Sequence, residues 1–159
     1  MFRGGPIITL GEAPCSRSCP LPPKSKGMDN PSIISHVSIG SDRFEQALEF
    51  YDRVMATLGA KRVMEHPGAV AYGKVYPEFW VGKPLDGEKA HPGNGVHFGF
   101  VAQSTEQVNE FYRVALEAGG KDNGPPGPRP IYGDPYYGCF VFDLDGNKIE
   151  ATFWDESKQ

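Results

Sequence analysis

Apolar residues follow two different periods in the first half of the chain. Residues 33–39 alternate between apolar and polar side chains and end at Gly40, which predicts a β-strand. The residues that follow carry apolar side chains at helical spacing, which predicts an α-helix that ends at Gly59. Ser41 or Asp42 is the expected cap of this helix. Three short strands are then predicted, at residues 61–64, 69–74 and 78–83.

The same order of elements returns after a polar segment rich in glycine and proline. Residues 95–101 predict a strand, and Ser104 is the expected cap of a second helix that ends at residues 119–120. A shift of the chain against itself by 61 residues aligns seven identical residues without a gap: His36 with His97, Glu45 with Glu106, Gln46 with Gln107, Glu49 with Glu110, Phe50 with Phe111, Tyr51 with Tyr112 and Gly59 with Gly120. The repeat predicts two copies of one β-α-β-β-β module, about residues 32–84 and about residues 95–155.

A predicted β-hairpin closes the second module. Residues 139–142 are apolar and rich in strand-forming side chains, and residues 145–147 (Asp-Gly-Asn) are typical of a tight turn. The second strand of the hairpin carries Glu150 between two apolar residues. Because side chains alternate across a strand, this carboxylate lies either on the solvated face of an edge strand or inside the molecule with a chemical role.

The repeat predicts a metal site. His36 and His97 occupy equivalent places in the two modules, so a pseudo-two-fold axis would bring them together, with Glu150 within reach. Two imidazoles and one carboxylate suit one divalent metal ion, which could be Zn, Ni, Mn or Fe(II). The alternative is that each histidine is a hydrogen-bonded residue that faces solvent. We therefore expect an α+β fold in which two curved mixed sheets surround a metal-binding cleft.

Composition narrows the partners and the compartment. The hydrophobic fraction of 39% is typical of a soluble globular protein, and no apolar run is long enough to cross a bilayer. A net charge of −4 argues against nucleic acid as a partner, and three cysteines favour a reducing, cytoplasmic compartment over a disulfide framework. Residues 1–31 are rich in proline and basic residues, which predicts a disordered extension or an organelle leader, with Met28 as an alternative start.

The same residues carry a family resemblance. His36 with residues 42–51, His97, and residues 143–150 (Asp-Leu-Asp-Gly-Asn-Lys-Ile-Glu) resemble the vicinal-oxygen-chelate superfamily, which contains glyoxalase I, bleomycin-resistance proteins and extradiol dioxygenases. The resemblance covers about residues 32–155, and glyoxalase I is the most similar member in size and spacing. It implies a metal-dependent lyase or isomerase that acts on a small substrate with vicinal oxygens, with metal ligands His36, His97 and Glu150. Because many members pair, a homodimer is also implied.

The sequence departs from glyoxalase I at one expected ligand. That family takes a further Glu, which also acts as a base, from the last strand of its first module, and Trp80 aligns with it here. Glu78 lies two residues earlier on the same strand face and would replace it only if the strand register slipped. The general base is therefore unassigned.

A long, proline-stiffened loop at residues 123–138 is the candidate substrate-binding segment. It is either a lid or specificity loop, with an arginine for an anion and tyrosines for packing, or a rigid surface connection. The same aromatic residues would also suit a metal-free, bleomycin-resistance-type ligand-binding protein, and a three-ligand metal site would suit an extradiol-type dioxygenase. The candidate substrate-binding residues are Trp80, Arg129, Tyr132, Tyr136 and Tyr137.

Overall fold

The repeat in the sequence is also a repeat in the structure. The computed structural model describes residues 32–158, so the predictions for residues 1–31 lie outside the described residues. The first module contains β1 (Val37–Gly40), α1 (Phe44–Ala56), β2 (Lys61–His66), β3 (Ala69–Gly73) and β4 (Phe79–Gly82). The second contains β5 (His97–Val101), α2 (Thr105–Glu117), β6 (Lys121–Asp122), β7 (Gly127–Pro128), β8 (Tyr136–Phe142) and β9 (Lys148–Trp154). Both helices have 13 residues.

Each module forms one mixed sheet, which confirms the predicted α+β fold of two β-α-β-β-β-like modules. The first sheet has the order β1-β4-β3-β2, and the second has the order β5-β9-β8-β6, with β7 also paired to β8. In both sheets the first strand of the module runs parallel to the last strand, and the other pairs are antiparallel. Within the described residues, β1 and β5 are sheet edges that pair on one side only.

The two modules share one hydrophobic core. Each helix turns its apolar stripe towards the sheets, and large side chains from both, such as Phe50 and Phe111, are almost fully buried. Phe79 of β4 packs edge-on against Phe100 of β5, with ring centroids 5.0 Å apart. Each large apolar side chain buried in this way contributes about 1.5–3 kcal/mol. Neither helix in the described part is long and apolar enough to span a membrane.

The predicted cap of α1 is wrong, and the predicted cap of α2 is confirmed. Arg43 occupies the N-cap position of α1 and makes no side-chain capping bond. Ser41 Oγ instead donates to Asp145 Oδ2 at 2.5 Å, and Asp42 Oδ1 accepts from the Ala90 backbone N–H. At α2, Ser104 Oγ accepts from the backbone N–H of residue 107 at 3.3 Å.

The segment at residues 123–138 is more regular than the sequence predicts. It contains β7, a short 3₁₀ turn at Pro130–Tyr132 and the first three residues of β8. The early start of β8 places Tyr136 and Tyr137 on opposite faces of the sheet. Tyr137 packs against the core, and its hydroxyl donates to Asn109 Oδ1 of α2.

A buried carboxylate ties the β8–β9 turn to the first module. Asp143 Oδ2 accepts a 2.7 Å hydrogen bond from the Tyr51 hydroxyl of α1 and another from the Asn147 side chain. Its Oδ1 accepts from the backbone N–H groups of Asp145 and Asn147. Burial, reinforced by Asp143, raises the pKa of Tyr51 well above its usual value, so this phenol stays a neutral donor.

Candidate functional site

The second sheet presents a polar face opposite the helices, which we call the open face. The residues of β8 and β9 that point towards α2 are apolar and fully buried, including Cys139, Val141, Ile149 and Ala151. The alternate residues therefore point the other way. Strand register sets Gly99, Glu150 and Phe140 in one row across this face.

His97 and Glu150 meet on the open face. His97 Nε2 lies 3.2 Å from Glu150 Oε2, and the Glu150 side chain is 10% exposed while that of His97 is 46% exposed. Residue 99, between them, is a glycine, and a Cβ there would lie 3.4 Å from Glu150 Oε2. The Glu150 carboxylate is thus largely shielded from solvent, whereas the His97 imidazole is accessible to it.

Tyr136 engages the other oxygen of the same carboxylate. Its hydroxyl donates to Glu150 Oε1 at 2.7 Å. The Tyr136 ring lies between those of Tyr132 and Trp154, with centroid distances of 4.9 and 5.5 Å. Burial is the main cause of a raised pKa of Tyr136, followed by its hydrogen bond to Glu150. Nearby, the buried Thr152 Oγ1 has no hydrogen-bond partner in the described part of the chain.

Two cations surround Phe140 on this face. Lys148 Nζ lies 4.5 Å from the ring centroid, and Arg129 Cζ lies 6.0 Å from it. The Arg129 guanidinium donates to the carbonyl oxygens of Pro125 and Pro128 at 2.7 and 3.1 Å. Neither cation forms an ion pair within residues 32–158. The open face therefore carries positive charge that no carboxylate in direct contact neutralises.

A depression of about 500 Å³ opens beside this group. Its lining includes His97 and Lys148 from the open face, together with Asn94, Asn123 and Phe142. His97 is therefore accessible both to a small molecule in the depression and to the carboxylate of Glu150.

The first module presents a different set of side chains at the equivalent positions. Trp80 pairs with Ser38 across β4 and β1, as Glu150 pairs with Gly99 across β9 and β5. Trp80 thus occupies the place that Glu150 has in the second module. The register of β1 and β4 does not shift, so Glu78 stays two residues before that place. The Trp80 indole stacks on His66, with centroids 5.9 Å apart and planes at 4°.

His36 lies on the first module, just before β1. It is exposed, and its Nδ1 lies 3.2 Å from Ser35 Oγ. Among the residues that the structure describes, no three His, Cys, Asp or Glu side chains are grouped so that they could hold a metal ion. One chain therefore brings together His97 and Glu150, without His36.

Several residues of the open face were not predicted as site residues. Three of them are in β9, an even number of residues from Glu150: Lys148, Thr152 and Trp154. The fourth, Phe140 of β8, lies directly opposite Glu150. Strand alternation places Lys148, Thr152 and Trp154 on the face of Glu150 from sequence alone. Only the strand register, however, shows that Phe140 is its cross-strand neighbour.

Solved structures with the same fold are numerous. A glyoxalase/bleomycin resistance protein from Albidiferax ferrireducens is 35% identical, with a TM-score of 0.70, over 76% of this chain and 98% of that chain. A glyoxalase-related enzyme from Fulvimarina pelagi is 20% identical, with a TM-score of 0.59, over 76% of this chain and 86% of that one. A glyoxalase/bleomycin resistance protein/dioxygenase family enzyme from Burkholderia phytofirmans is 16% identical, with a TM-score of 0.59, over 75% of this chain and 96% of that one.

The sequence also matches a family model. Comparison with curated proteins finds no match to the chain. The model of the Glyoxalase/Bleomycin resistance protein/Dioxygenase superfamily matches residues 33–151, which include His97, Glu150 and every strand and helix of both modules except the last three residues of β9. The chain belongs to the glyoxalase/bleomycin resistance protein/dioxygenase superfamily.

Proposed function

We propose that the protein is a divalent-metal-dependent, glyoxalase-like lyase or isomerase that acts on a small substrate with vicinal oxygens. The observation that carries the proposal is the approach of His97 Nε2 to Glu150 Oε2 at 3.2 Å on an accessible face. Zinc takes His and carboxylate ligands at about 2.0–2.2 Å. The observed separation of the two donor atoms is compatible with two ligands of one ion.

A second copy of the chain would complete the ligand set. His36 is exposed on the first module, and within the described residues β1 and β5 each pair with another strand on one side only. Apolar side chains are exposed at both edges: Ile33 before β1 is 100% exposed, and Val101 at the end of β5 is 68% exposed. Exposed apolar side chains beside unpaired edges favour association. We propose a homodimer in which His36 of one copy joins His97 and Glu150 of the other.

The remaining side chains suit a small substrate with an anionic group. Arg129 is held in place by two backbone carbonyls, and Lys148 lies over the same phenyl ring. Both keep N–H donors for a carboxylate or phosphate. In the proposed dimer, the stacked pair of Trp80 and His66 would supply a planar apolar surface on the other side of the cleft.

A bound divalent ion would hold both vicinal oxygens of the substrate and stabilise the enediolate-like negative charge that develops on them. The residues of this chain would orient the substrate. Trp80 occupies the position of the expected second carboxylate, so this position supplies no general base for the substrate proton.

Metal content is the deciding experiment. Wild-type protein and the double variant His97→Ala/Glu150→Gln would be loaded gently with Zn, Ni, Mn or Fe(II), desalted, and analysed for bound metal. About one ion per chain in the wild type and none in the variant would support the proposal. If the wild type retains no metal, the proposal is wrong.

Mixed dimers separate the metal from the dimer. His36→Ala and Glu150→Gln chains should each fail to retain metal. When the two are mixed in equal amounts and allowed to exchange, half of the dimers contain one chain of each kind, and one of their two sites has all three ligands. About a quarter of the sites should then bind metal again. No recovery in exchanged dimers would contradict a site shared between copies.

Two other functions remain as alternatives. A metal-free, bleomycin-resistance-type binding protein is favoured by the exposed rings of Tyr132 and Trp154, which pack on the buried Tyr136 and could stack on a planar ligand. It would be supported by tight binding of a planar ligand to metal-free protein. An extradiol-type dioxygenase would consume oxygen with a catechol when loaded with Fe(II), whereas a glyoxalase-like isomerase would not.

A further inference from the structure

We propose that Tyr136 is a positioning residue that holds one oxygen of the Glu150 carboxylate, so that the other oxygen is aimed at His97. This inference deepens the proposed function and rests on the role of Glu150 given there. It assigns Tyr136 a task different from the substrate packing that its place in the proline-rich segment predicts.

The two oxygens of Glu150 have different partners. Oε1 accepts the 2.7 Å hydrogen bond from the Tyr136 hydroxyl, and Oε2 lies 3.2 Å from His97 Nε2. A carboxylate with one oxygen hydrogen-bonded to a phenol offers its other oxygen more readily to an incoming cation. Tyr136 therefore favours binding through a single oxygen, on the side of the accessible imidazole.

The local structure is built to place the Tyr136 hydroxyl at this point. The phenol crosses above residue 138, where a Cβ would lie 2.1 Å from the Tyr136 hydroxyl oxygen, so only glycine leaves room for it. Tyr132 and Trp154 contact the ring from two sides and restrict its rotation. A side chain whose rotamer is fixed by packing can hold its partner with little further loss of entropy.

Loss of the hydroxyl should therefore be felt at Glu150 first. In a Tyr136→Phe variant, Oε1 has lost its donor and the carboxylate is free to rotate. Outer partners of ligating carboxylates typically change metal affinity by about 10–100-fold. The expected result is Zn or Co(II) binding that is weaker by that factor, with a changed visible spectrum of the Co(II) protein.

The test compares three proteins. Tyr137→Phe is the matched control, because Tyr137 is the adjacent residue of β8 and its hydroxyl bonds Asn109 on the opposite face. For wild type, Tyr136→Phe and Tyr137→Phe, we would determine metal-free crystal structures and titrate Co(II) by absorbance. Unfolding midpoints would be recorded to detect general damage. A turned Glu150 carboxylate and weaker binding in Tyr136→Phe alone would support the inference.

Failure of the inference differs from failure of the proposed function. If Glu150 keeps its orientation and Co(II) binds equally well in Tyr136→Phe, the inference is wrong although the metal site stands. If wild type binds no metal but the carboxylate turns in Tyr136→Phe, Tyr136 positions Glu150 and the proposed function is wrong. Should Tyr136→Phe fail to fold, Gly138→Ala provides a second test, because the new Cβ displaces the hydroxyl while the phenol remains.

Discussion

Removal of the Tyr51 hydroxyl should weaken the link between the modules by a measurable amount. Tyr51 is 1% exposed, and its hydroxyl donates to the buried Asp143 carboxylate at 2.7 Å. A hydrogen bond to a charged group contributes about 1.5–3 kcal/mol. In Tyr51→Phe, Asp143 keeps its backbone donors and the Asn147 amide, so the loss should remain within that range.

Urea unfolding gives this loss directly. The midpoint should fall while the denaturant slope stays unchanged, since the hydroxyl alters little of the surface exposed on unfolding. The repeat supplies a matched control, Tyr112→Phe, at the equivalent helix position but only partly buried. A loss in Tyr51→Phe no larger than that in Tyr112→Phe would refute the reasoning.

The stability difference between wild type and Tyr51→Phe should also depend on pH in a defined way. Burial, and then the charge of Asp143, raises the pKa of Tyr51 in the folded protein, so the folded state binds the phenolic proton more tightly than the unfolded state does. This stabilisation is complete below the unfolded pKa of about 10 and is lost as the pH rises above it. The stability difference between wild type and Tyr51→Phe should therefore be flat near neutrality and shrink above about pH 10. An increase there would contradict the assignment.

Three further predictions concern single positions. In Gly73→Ala the new Cβ would lie 1.8 Å from the Tyr76 carbonyl oxygen, so the β3–β4 turn must move; about 1–3 kcal/mol should be lost in urea unfolding, and an unchanged midpoint would contradict this. Ser104→Ala should cost α2 about 1 kcal/mol, because the Ser104 side chain caps the helix, and restoration by Ser104→Asp would separate capping from other effects. Burial raises the pKa of the Cys139 thiol to about 11, so peptide mass spectrometry should find it alkylated at pH about 8 only after unfolding.

The fold followed from the sequence because its signals are local and repeated. Apolar residues at helical spacing reappear 61 residues later, and the two helices they predict both form. The cap of α1 could not be predicted in the same way. Ser41 and Asp42 have the chemistry of capping residues, but both side chains also bond partners 48 or more residues away in sequence, and Ser41 Oγ accepts from the Arg43 N–H rather than from a later residue of the first turn. Tertiary contacts outweighed the local preference there.

The site followed from the sequence only in part. The approach of His97 to Glu150 could be predicted because strand alternation and the place of each residue in the repeat can both be read from the sequence. The contact of Tyr136 with Glu150 depends on where β8 begins and how it pairs with β9, and a proline-rich segment hides that start. The meeting of His36 with the other two residues stays a prediction.

The two modules are alike where they face the core and differ at matched positions on the other side of their sheets. Residues that face the core are conserved in kind between the copies, as Phe50 and Phe111 show, because both helices must fill the same space against the sheets. Glu150 lies on the open face of the second sheet, and Trp80 occupies the equivalent position in the first sheet. A carboxylate in one module and an indole ring in the other therefore stand at matched positions of the repeat, so the two sheets offer different chemistry from the same place in the fold.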